Sequence, residues 1–203
     1  MKYQEFRKLI NRPFFRKSDV DFSNSGVSSV QLSRWANVGY IEQLKRGIYV
    51  FDDSVKNVDS SLVSFLLYEP SYISLESALR HYDLIPEMIT STTAVTTRTN
   101  REFSNRYGNF SYRHIRPELF FGYDPVEMPG GKYLMAEPEK AILDYVYLNQ
   151  RRLFTMDEIE GLRLNTHEFL SVIDTKRLKK YLAWYDSRNM DRIISLILEH
   201  VNL

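Results

Sequence analysis

The chain has 203 residues, of which 43% are hydrophobic and 26% charged, so its composition is that of a globular protein able to bury a core. It contains no cysteine, which excludes disulfides, thiolate metal sites and cysteine nucleophiles and fits a reducing compartment. Charges throughout the first fifteen residues predict no signal peptide, and no apolar run approaches the ~20 residues that span a bilayer. We therefore expect a cytoplasmic protein.

The formal net charge is only +1, but the charges are unevenly distributed. Residues 1–50 carry nine Lys and Arg against four acids, whereas residues 117–170 carry five against ten. A basic end joined to an acidic middle suggests that the amino-terminal end meets a polyanion. Chance clustering gives the same pattern, so charge by itself does not decide the function.

The first 26 residues predict two helices and a turn. Apolar side chains recur at helical spacing over residues 2–11. A short second helix is expected near Ser18–Phe22, with Phe14 and Phe15 as apolar anchors ahead of it. The segment Asn24-Ser25-Gly26 has the composition of a turn.

A third helix is predicted to begin after Ser28. Ser28 and Gln31 match the S-x-x-Q capping box, in which the two side chains satisfy each other's exposed amides. Gly39 is expected to end the helix. Its apolar residues form one buried stripe, consisting of Leu32, Trp35 and Ala36.

The next residues predict a β-hairpin. Two short strands, Ile41–Leu44 and Ile48–Phe51, flank a turn at Lys45-Arg46-Gly47. Three helices followed by a hairpin within about fifty residues is the order of elements in a winged helix-turn-helix domain. We predict such a domain at residues 1–53, with a seam at Asp52-Asp53-Ser54.

The face of the third helix opposite its apolar stripe has the residue types of a DNA recognition helix. Short hydroxyls let a backbone approach the groove, arginine can bond guanine with two donors, and an aliphatic group can touch a thymine methyl. The helix amino terminus offers amides to a phosphate, and the hairpin tip is placed to meet the DNA backbone. The predicted DNA-binding residues are Ser28, Ser29, Val30, Ser33, Arg34 and Asn37 on the third helix, Lys45 and Arg46 on the hairpin, and Arg16 and Lys17 at the start of the second helix.

Two other interpretations of these residues stay open. The polar side chains could simply be solvated, and helix-turn-helix look-alikes also serve as protein–protein adaptors. The combination of helix order, turn, hairpin and basic bias favours DNA binding.

Residues 56–203 predict an α+β domain of antiparallel strands flanked by helices. Val58–Tyr68 is an apolar helix, and Ser74 is expected to cap another. The Thr-, Tyr- and Phe-rich stretch Thr92–Met135, punctuated by glycines, predicts several antiparallel strands. A helix follows at Glu137–Leu148, and capping residues predict a helical carboxy-terminal tail.

Several short motifs are similar to those of one known family. They are SSVQLSRW at 28–35, GYI at 39–41, LKRGIYV at 44–50, YISLESAL at 72–79, LIPE at 84–87, VTTR at 95–98 and PEKAILDY at 138–145. Together they resemble AbiEi-type antitoxins, the regulator halves of bacterial abortive-infection toxin–antitoxin operons, over about residues 14–150.

This resemblance implies a repressor of its own operon that binds inverted repeats in operator DNA, as a monomer or dimer that assembles there. It also implies a linked nucleotidyltransferase-like toxin, countered through the toxin itself or its RNA target. Some relatives lack a toxin, so the repressor role is the safer expectation.

The main rival hypothesis is a metal-dependent nuclease built on four residues that fall on or after strands: Asp124, Glu137, Glu139 and Lys140. Its spacing fails, because the acid required two positions before Lys140 is replaced by Pro138. The two glutamates fit the first turn of a helix better, with Lys140 and Asp144 as an i, i+4 pair.

Other catalytic signatures are missing from the sequence. The histidines lack metal-ligand spacing, and neither a nucleophile elbow nor a phosphate loop is present. We therefore expect no enzyme activity, no metal site and no cofactor.

A second basic segment lies at residues 90–116. Its five arginines are Arg98, Arg101, Arg106, Arg113 and Arg116, interleaved with Phe103, Tyr107, Phe110 and Tyr112. Arginines with aromatics can follow a nucleic-acid backbone and stack on bases. We expect the aromatics to fill the core, and the sequence leaves the role of the arginines open.

Overall fold

The computed structural model describes residues 1–52, 58–153 and 155–202, which form an α+β fold. Residues 1–52, here called the N-terminal unit, contain α1 (Tyr3–Leu9), β1 (Phe14–Arg16), α2 (Lys17–Phe22), α3 (Ser29–Val38), β2 (Ile41–Lys45) and β3 (Ile48–Phe51). The predicted helices and hairpin are confirmed. Strand β1 was not predicted, and it pairs antiparallel with β3 in a sheet of order β1-β3-β2. The predicted boundary near residues 53 to 56 lies outside the described residues.

The N-terminal unit has an aromatic core of its own. Its centre is formed by Phe6, Phe15, Leu32, Trp35 and Phe51, all of which are buried. The rings of Phe6 and Phe15 meet edge to face, with centroids 5.1 Å apart. Since α3 contributes Leu32 and Trp35 to this core, its opposite face is turned to solvent.

The described residues from 58 onward, here called the C-terminal unit, alternate helices and strands. The helices are α4 (Ser60–Leu67), α5 (Leu75–His81), α6 (Pro138–Asn149), α7 (Met156–Glu160), α8 (Thr166–Val172), α9 (Thr175–Leu182) and α10 (Arg188–His200). The strands are β4 (Ser71–Ile73), β5 (Thr92–Thr96), β6 (Arg101–Asn105), β7 (Gly108–His114), β8 (Tyr123–Met128) and β9 (Gly131–Ala136).

These strands form one mixed sheet of order β6-β7-β5-β4-β9-β8. The expectation of antiparallel strands is wrong for two pairings, because β5 runs parallel to β7 and β4 parallel to β9. The hairpin of β6 and β7 returns so that β7 lies between β5 and β6, which makes β7 run in the direction of β5. Strand β4, which was not predicted, joins the two halves of the sheet.

Helices cover both faces of this sheet. Tyr112 of β7 points towards α4, where its hydroxyl donates to the Ser64 carbonyl at 2.6 Å. Thr93 of β5 points the other way, because it alternates with Ala94, the residue paired with Tyr112. Its backbone amide donates a hydrogen bond to the hydroxyl of Ser77, in α5, at 2.8 Å. The carboxy-terminal helices extend this second layer through α6, which contacts α5, α9 and α10.

A separate apolar cluster joins the two units. It consists of Phe14, Ile48 and Val50 from the N-terminal sheet with Leu62 and Leu66 from α4. All five side chains are buried. This shared core packs β1 and β3 of the N-terminal sheet against α4 of the C-terminal unit.

No helix within the described ranges combines the length and apolar character that crossing a bilayer requires.

Candidate nucleic-acid interface

Helix α3 is defined by caps at both ends. The Ser28 hydroxyl accepts a hydrogen bond from the Gln31 backbone amide at 3.3 Å. Gly39 ends the helix in the left-handed conformation, with φ +85°. Only half of the predicted capping box forms, because the Gln31 side chain donates to the Met1 carbonyl at 2.6 Å. Gln31 therefore ties the chain start to α3.

The solvent face of α3 contains the predicted base-reading residues. The exposed residues are Ser28, Ser29, Val30, Ser33, Arg34 and Asn37. Val30 is 63% exposed, so its aliphatic side chain is accessible to a partner outside the chain. The Ser33 hydroxyl donates to the Ser29 carbonyl at 3.0 Å and keeps its acceptor lone pairs free for another donor. The structure thus presents this set on one side of one helix.

The turn of the hairpin is held next to α2. The Lys17 backbone amide donates to the Gly47 carbonyl at 2.8 Å. Arg46, in the turn, and Lys17, at the start of α2, both have exposed side chains. Two cations therefore flank the same turn.

Arg16 and Lys45 lie instead at the contact between the two units. The Arg16 guanidinium pairs with the Glu69 carboxylate at 2.5 Å, and this hydrogen bond raises the pKa of Arg16. The Lys45 ammonium donates to the Leu67 carbonyl at 2.8 Å, and burial lowers its pKa. Sequence patterns could not show these pairings, because Glu69 lies 53 residues from Arg16 along the chain.

The structure does not bring the five arginines of the 90–116 segment together. Arg106 pairs with Glu42 and Asp52 of the N-terminal unit, and Arg116 donates to the Tyr185 carbonyl at 3.5 Å. The other three are exposed near one end of the sheet: Arg98, Arg101 and Arg113. Arg98 lies near Lys45 and contributes to lowering its pKa, so this end of the sheet adjoins the hairpin.

The aromatics of the same segment are structural, as predicted. Phe110 and Tyr112 are buried, and Phe103 packs edge to face on Tyr112 with centroids 5.8 Å apart. The Tyr107 side chain is partly buried against the shared core. These rings are not available as a base-stacking platform.

Three of the four residues of the rival nuclease hypothesis have other partners. Glu137 accepts from the Tyr181 hydroxyl at 2.6 Å, and Glu139 accepts from the Asp174 backbone amide at 2.7 Å. Lys140 forms the predicted ion pair with Asp144. Within residues 1–52, 58–153 and 155–202, no three His, Asp or Glu side chains are grouped closely enough to hold a metal ion.

The comparison with known families concerns the N-terminal unit. The family model described as "Transcriptional regulator, AbiEi antitoxin" matches residues 5–51. This match confirms the resemblance over those residues, which include α3 and the hairpin. The N-terminal unit is thus similar to a family of transcriptional regulators that act as antitoxins. No curated protein matches the chain.

Proposed function

We propose that the chain is a DNA-binding transcriptional repressor whose N-terminal unit is a winged helix. The order α1-β1-α2-α3-β2-β3, with β1 completing a three-stranded sheet, supports the winged-helix proposal. The observation that carries the proposal is the capped helix α3. It buries its apolar face and presents hydroxyls, an arginine and an aliphatic group outward, inside the segment that matches a regulator family.

Helix α3 is the recognition helix in this proposal. Its amino-terminal half enters the major groove, where Arg34 can bond guanine with two donors and Val30 can contact a thymine methyl. Ser29, Ser33 and Asn37 offer short polar groups that allow close approach. Ser28 leaves the remaining amides of the first turn available to a phosphate.

Arg46 and Lys17 are the backbone anchors. Both side chains are exposed, that of Arg46 in the hairpin turn and that of Lys17 next to it. Arg16 and Lys45 were also predicted to contact DNA. Because they bind Glu69 and Leu67, we propose that they hold the N-terminal unit against the C-terminal unit in addition to contacting DNA. The exposed Arg98, Arg101 and Arg113 are proposed as an additional nucleic-acid contact outside the N-terminal unit.

The wider role follows from the family resemblance. Two copies are required to read an inverted repeat, either as a dimer or as monomers that assemble on DNA. We propose that the operator precedes the chain's own gene and that the protein counters a nucleotidyltransferase-like toxin. The presence of a reading frame of that kind directly downstream of the gene would support the antitoxin role.

The decisive experiment is an anisotropy titration of the full chain with DNA from upstream of its own gene and with scrambled DNA, at two salt concentrations. Arg34→Ala should reduce the preference for the operator, with a loss of about 1–3 kcal/mol on operator DNA and little on scrambled DNA. Arg46→Ala should weaken both DNAs alike and reduce the salt slope by about one.

Arg151→Ala is the matched control, because Arg151 is an exposed arginine of the C-terminal unit, and it should leave both affinities unchanged. Equal losses on both DNAs for Arg34→Ala would contradict the division between base reading and backbone anchoring. No binding by the parent chain at low salt would overturn the repressor proposal and leave the adaptor hypothesis.

A further inference from the structure

A partly enclosed cavity of about 160 Å³ lies in the helical layer of the C-terminal unit. Its walls are formed by α5, α6, α10 and the segment that follows α7. Its apolar lining includes Leu79, Ile142, Val146, Leu164 and Ile197. An apolar cavity of roughly 150 Å³ is large enough to hold one benzene ring.

Acidic groups stand at the edge of this cavity. Glu76 of α5 and Glu87 line it together with Tyr145 of α6. Glu76 is partly exposed and Glu87 is exposed. Burial raises the pKa of the Tyr145 phenol, and the two carboxylates raise it further while Arg152 opposes them. The residues that line the cavity thus include two carboxylates and neither a lysine nor an arginine, so the lining carries negative charge.

We infer that this cavity is a binding site for a small organic cation, namely an ammonium group attached to one apolar group of about the size of a benzene ring. The apolar walls favour burial of the ring, which removes apolar surface from water. The carboxylates favour the ammonium through charge-assisted hydrogen bonds, and they disfavour an anion of the same shape. The Tyr145 hydroxyl supplies a further polar contact at the same rim.

The cavity is separate from the proposed DNA interface. It lies beside α5 and α6, on the sheet face towards which Thr93 points. The N-terminal unit contacts α4, on the opposite face. Binding to this cavity can therefore be tested independently of DNA binding, and failure of one proposal would not imply failure of the other.

The experiment is an isothermal titration of the full chain with three probes of matched size: benzylamine, benzyl alcohol and benzoate. Benzylamine is expected to bind about tenfold more tightly than benzyl alcohol, and benzoate more weakly than either. Glu76→Gln with Glu87→Gln should remove this tenfold advantage and leave the affinity for benzyl alcohol unchanged. Glu127→Gln, which changes an exposed glutamate of β8, is the matched control and should change nothing.

A second variant tests the cavity itself. Leu164→Trp adds volume from the partly exposed rim and should abolish binding of both benzylamine and benzyl alcohol, while circular dichroism confirms that the variant folds. The inference is overturned if the parent chain binds no probe, or if it binds all three equally. It is also overturned if benzylamine keeps its affinity in either variant.

Discussion

Lys140 and Asp144 form an ion pair that is completely buried at the centre of the C-terminal unit. The Asp144 carboxylate accepts hydrogen bonds from the hydroxyls of Tyr72 at 2.8 Å and Ser74 at 2.9 Å. The Lys140 ammonium donates to the Tyr185 hydroxyl at 3.0 Å. The network connects β4, α6 and the segment before α10, so one pair of charges holds three parts of the chain in register.

Removing one charge of this pair should be far more costly than removing an exposed one. Asp144→Asn leaves the buried Lys140 ammonium without a counter-charge, and we expect a loss of about 3–5 kcal/mol in the free energy of unfolding. Lys140→Met should cost less, because three hydroxyls still lie around Asp144. Urea denaturation measures both.

Asp83→Asn is the control for this comparison. Asp83 pairs with Arg80 on the surface, where the two side chains are 65% and 48% exposed. Its loss should cost under about 1 kcal/mol. If Asp144→Asn were no more destabilising than Asp83→Asn, the buried network would not contribute to stability as described.

The raised pKa of Tyr82 leads us to expect a loss of stability at alkaline pH. Burial raises the pKa of Tyr82 to about 12, with Asp124, Glu137 and Glu139 adding to the shift. The unfolded phenol titrates near about 10. Between these two pH values the unfolded chain releases the phenol proton while the folded chain keeps it. Deprotonation therefore favours the unfolded state, and the contribution of Tyr82 to the free energy of unfolding, which is complete below about pH 10, declines as the pH rises towards 12.

Tyr82→Phe should therefore make the fall in stability between pH 10 and 12 shallower than in the parent chain. Urea midpoints measured at several pH values across this window test the slope. Tyr40→Phe, at an exposed tyrosine, is the comparison for nonspecific effects of losing a phenol. A parent-like slope in Tyr82→Phe would contradict the assignment.

At the level of elements, the β8–β9 turn illustrates how closely the two units approach. Gly130 has φ +97°, and a Cβ atom placed there would lie 2.5 Å from both Cδ and Cγ of Pro13. Gly39, at the end of α3, has φ +85° but no heavy atom within 4 Å of such a Cβ. Both positions disfavour alanine through backbone conformation, but only Gly130 also has a steric clash with the other unit.

Gly130→Ala should consequently be more destabilising than Gly39→Ala. We expect Gly39→Ala to cost about 1 kcal/mol from the left-handed backbone alone. Gly130→Ala should cost more, since either Pro13 or the turn must move. Thermal unfolding of the two variants gives the comparison, and equal losses would show that the approach of Pro13 to the turn does not restrict position 130.

At the level of the whole molecule, the shared core predicts that both units unfold together. Phe14 and Val50 from one unit pack with Leu62 and Leu66 from the other, all buried. If either unit unfolds, the apolar side chains of the other unit lose the surface that buries them. The division into two domains remains a prediction. Because the two units share this core, we do not expect either unit to be stable without the other.

Trp184→Phe provides a reporter for this prediction. The chain has two tryptophans, Trp35 in the N-terminal core and the exposed Trp184 in the C-terminal unit. In the variant, Trp35 fluorescence reports on the N-terminal unit alone, and far-ultraviolet circular dichroism reports on the whole chain. We expect coincident urea midpoints, which should shift together in a further Leu66→Ala variant. A separate, earlier Trp35 transition would contradict shared unfolding.

Local chemistry made several elements readable from the sequence. The Ser28 cap, the buried stripe of α3 and the terminating Gly39 all act within about ten residues, so they predict the helix and its solvent face correctly. The hairpin turn and the Lys140–Asp144 spacing are local in the same way. The family motifs within the N-terminal unit indicated a resemblance to AbiEi-type regulators, and the family match confirms this resemblance over residues 5–51.

The remaining features depend on segments far apart in the sequence. Strands β1 and β4 have three residues each and are defined by their neighbours, and the parallel pairings need partners that no local pattern identifies. The sequence placed Lys45 in the hairpin and Arg16 at the start of the second helix as predicted DNA contacts, and the tertiary structure shows that these two side chains also bind Leu67 and Glu69. The sequence by itself determined which helix is capped and which of its faces is exposed, because helix caps and amphipathic faces are local. Only the tertiary structure decided which of the neighbouring cations stay exposed, because burial and ion pairing depend on the segments that the fold places beside them.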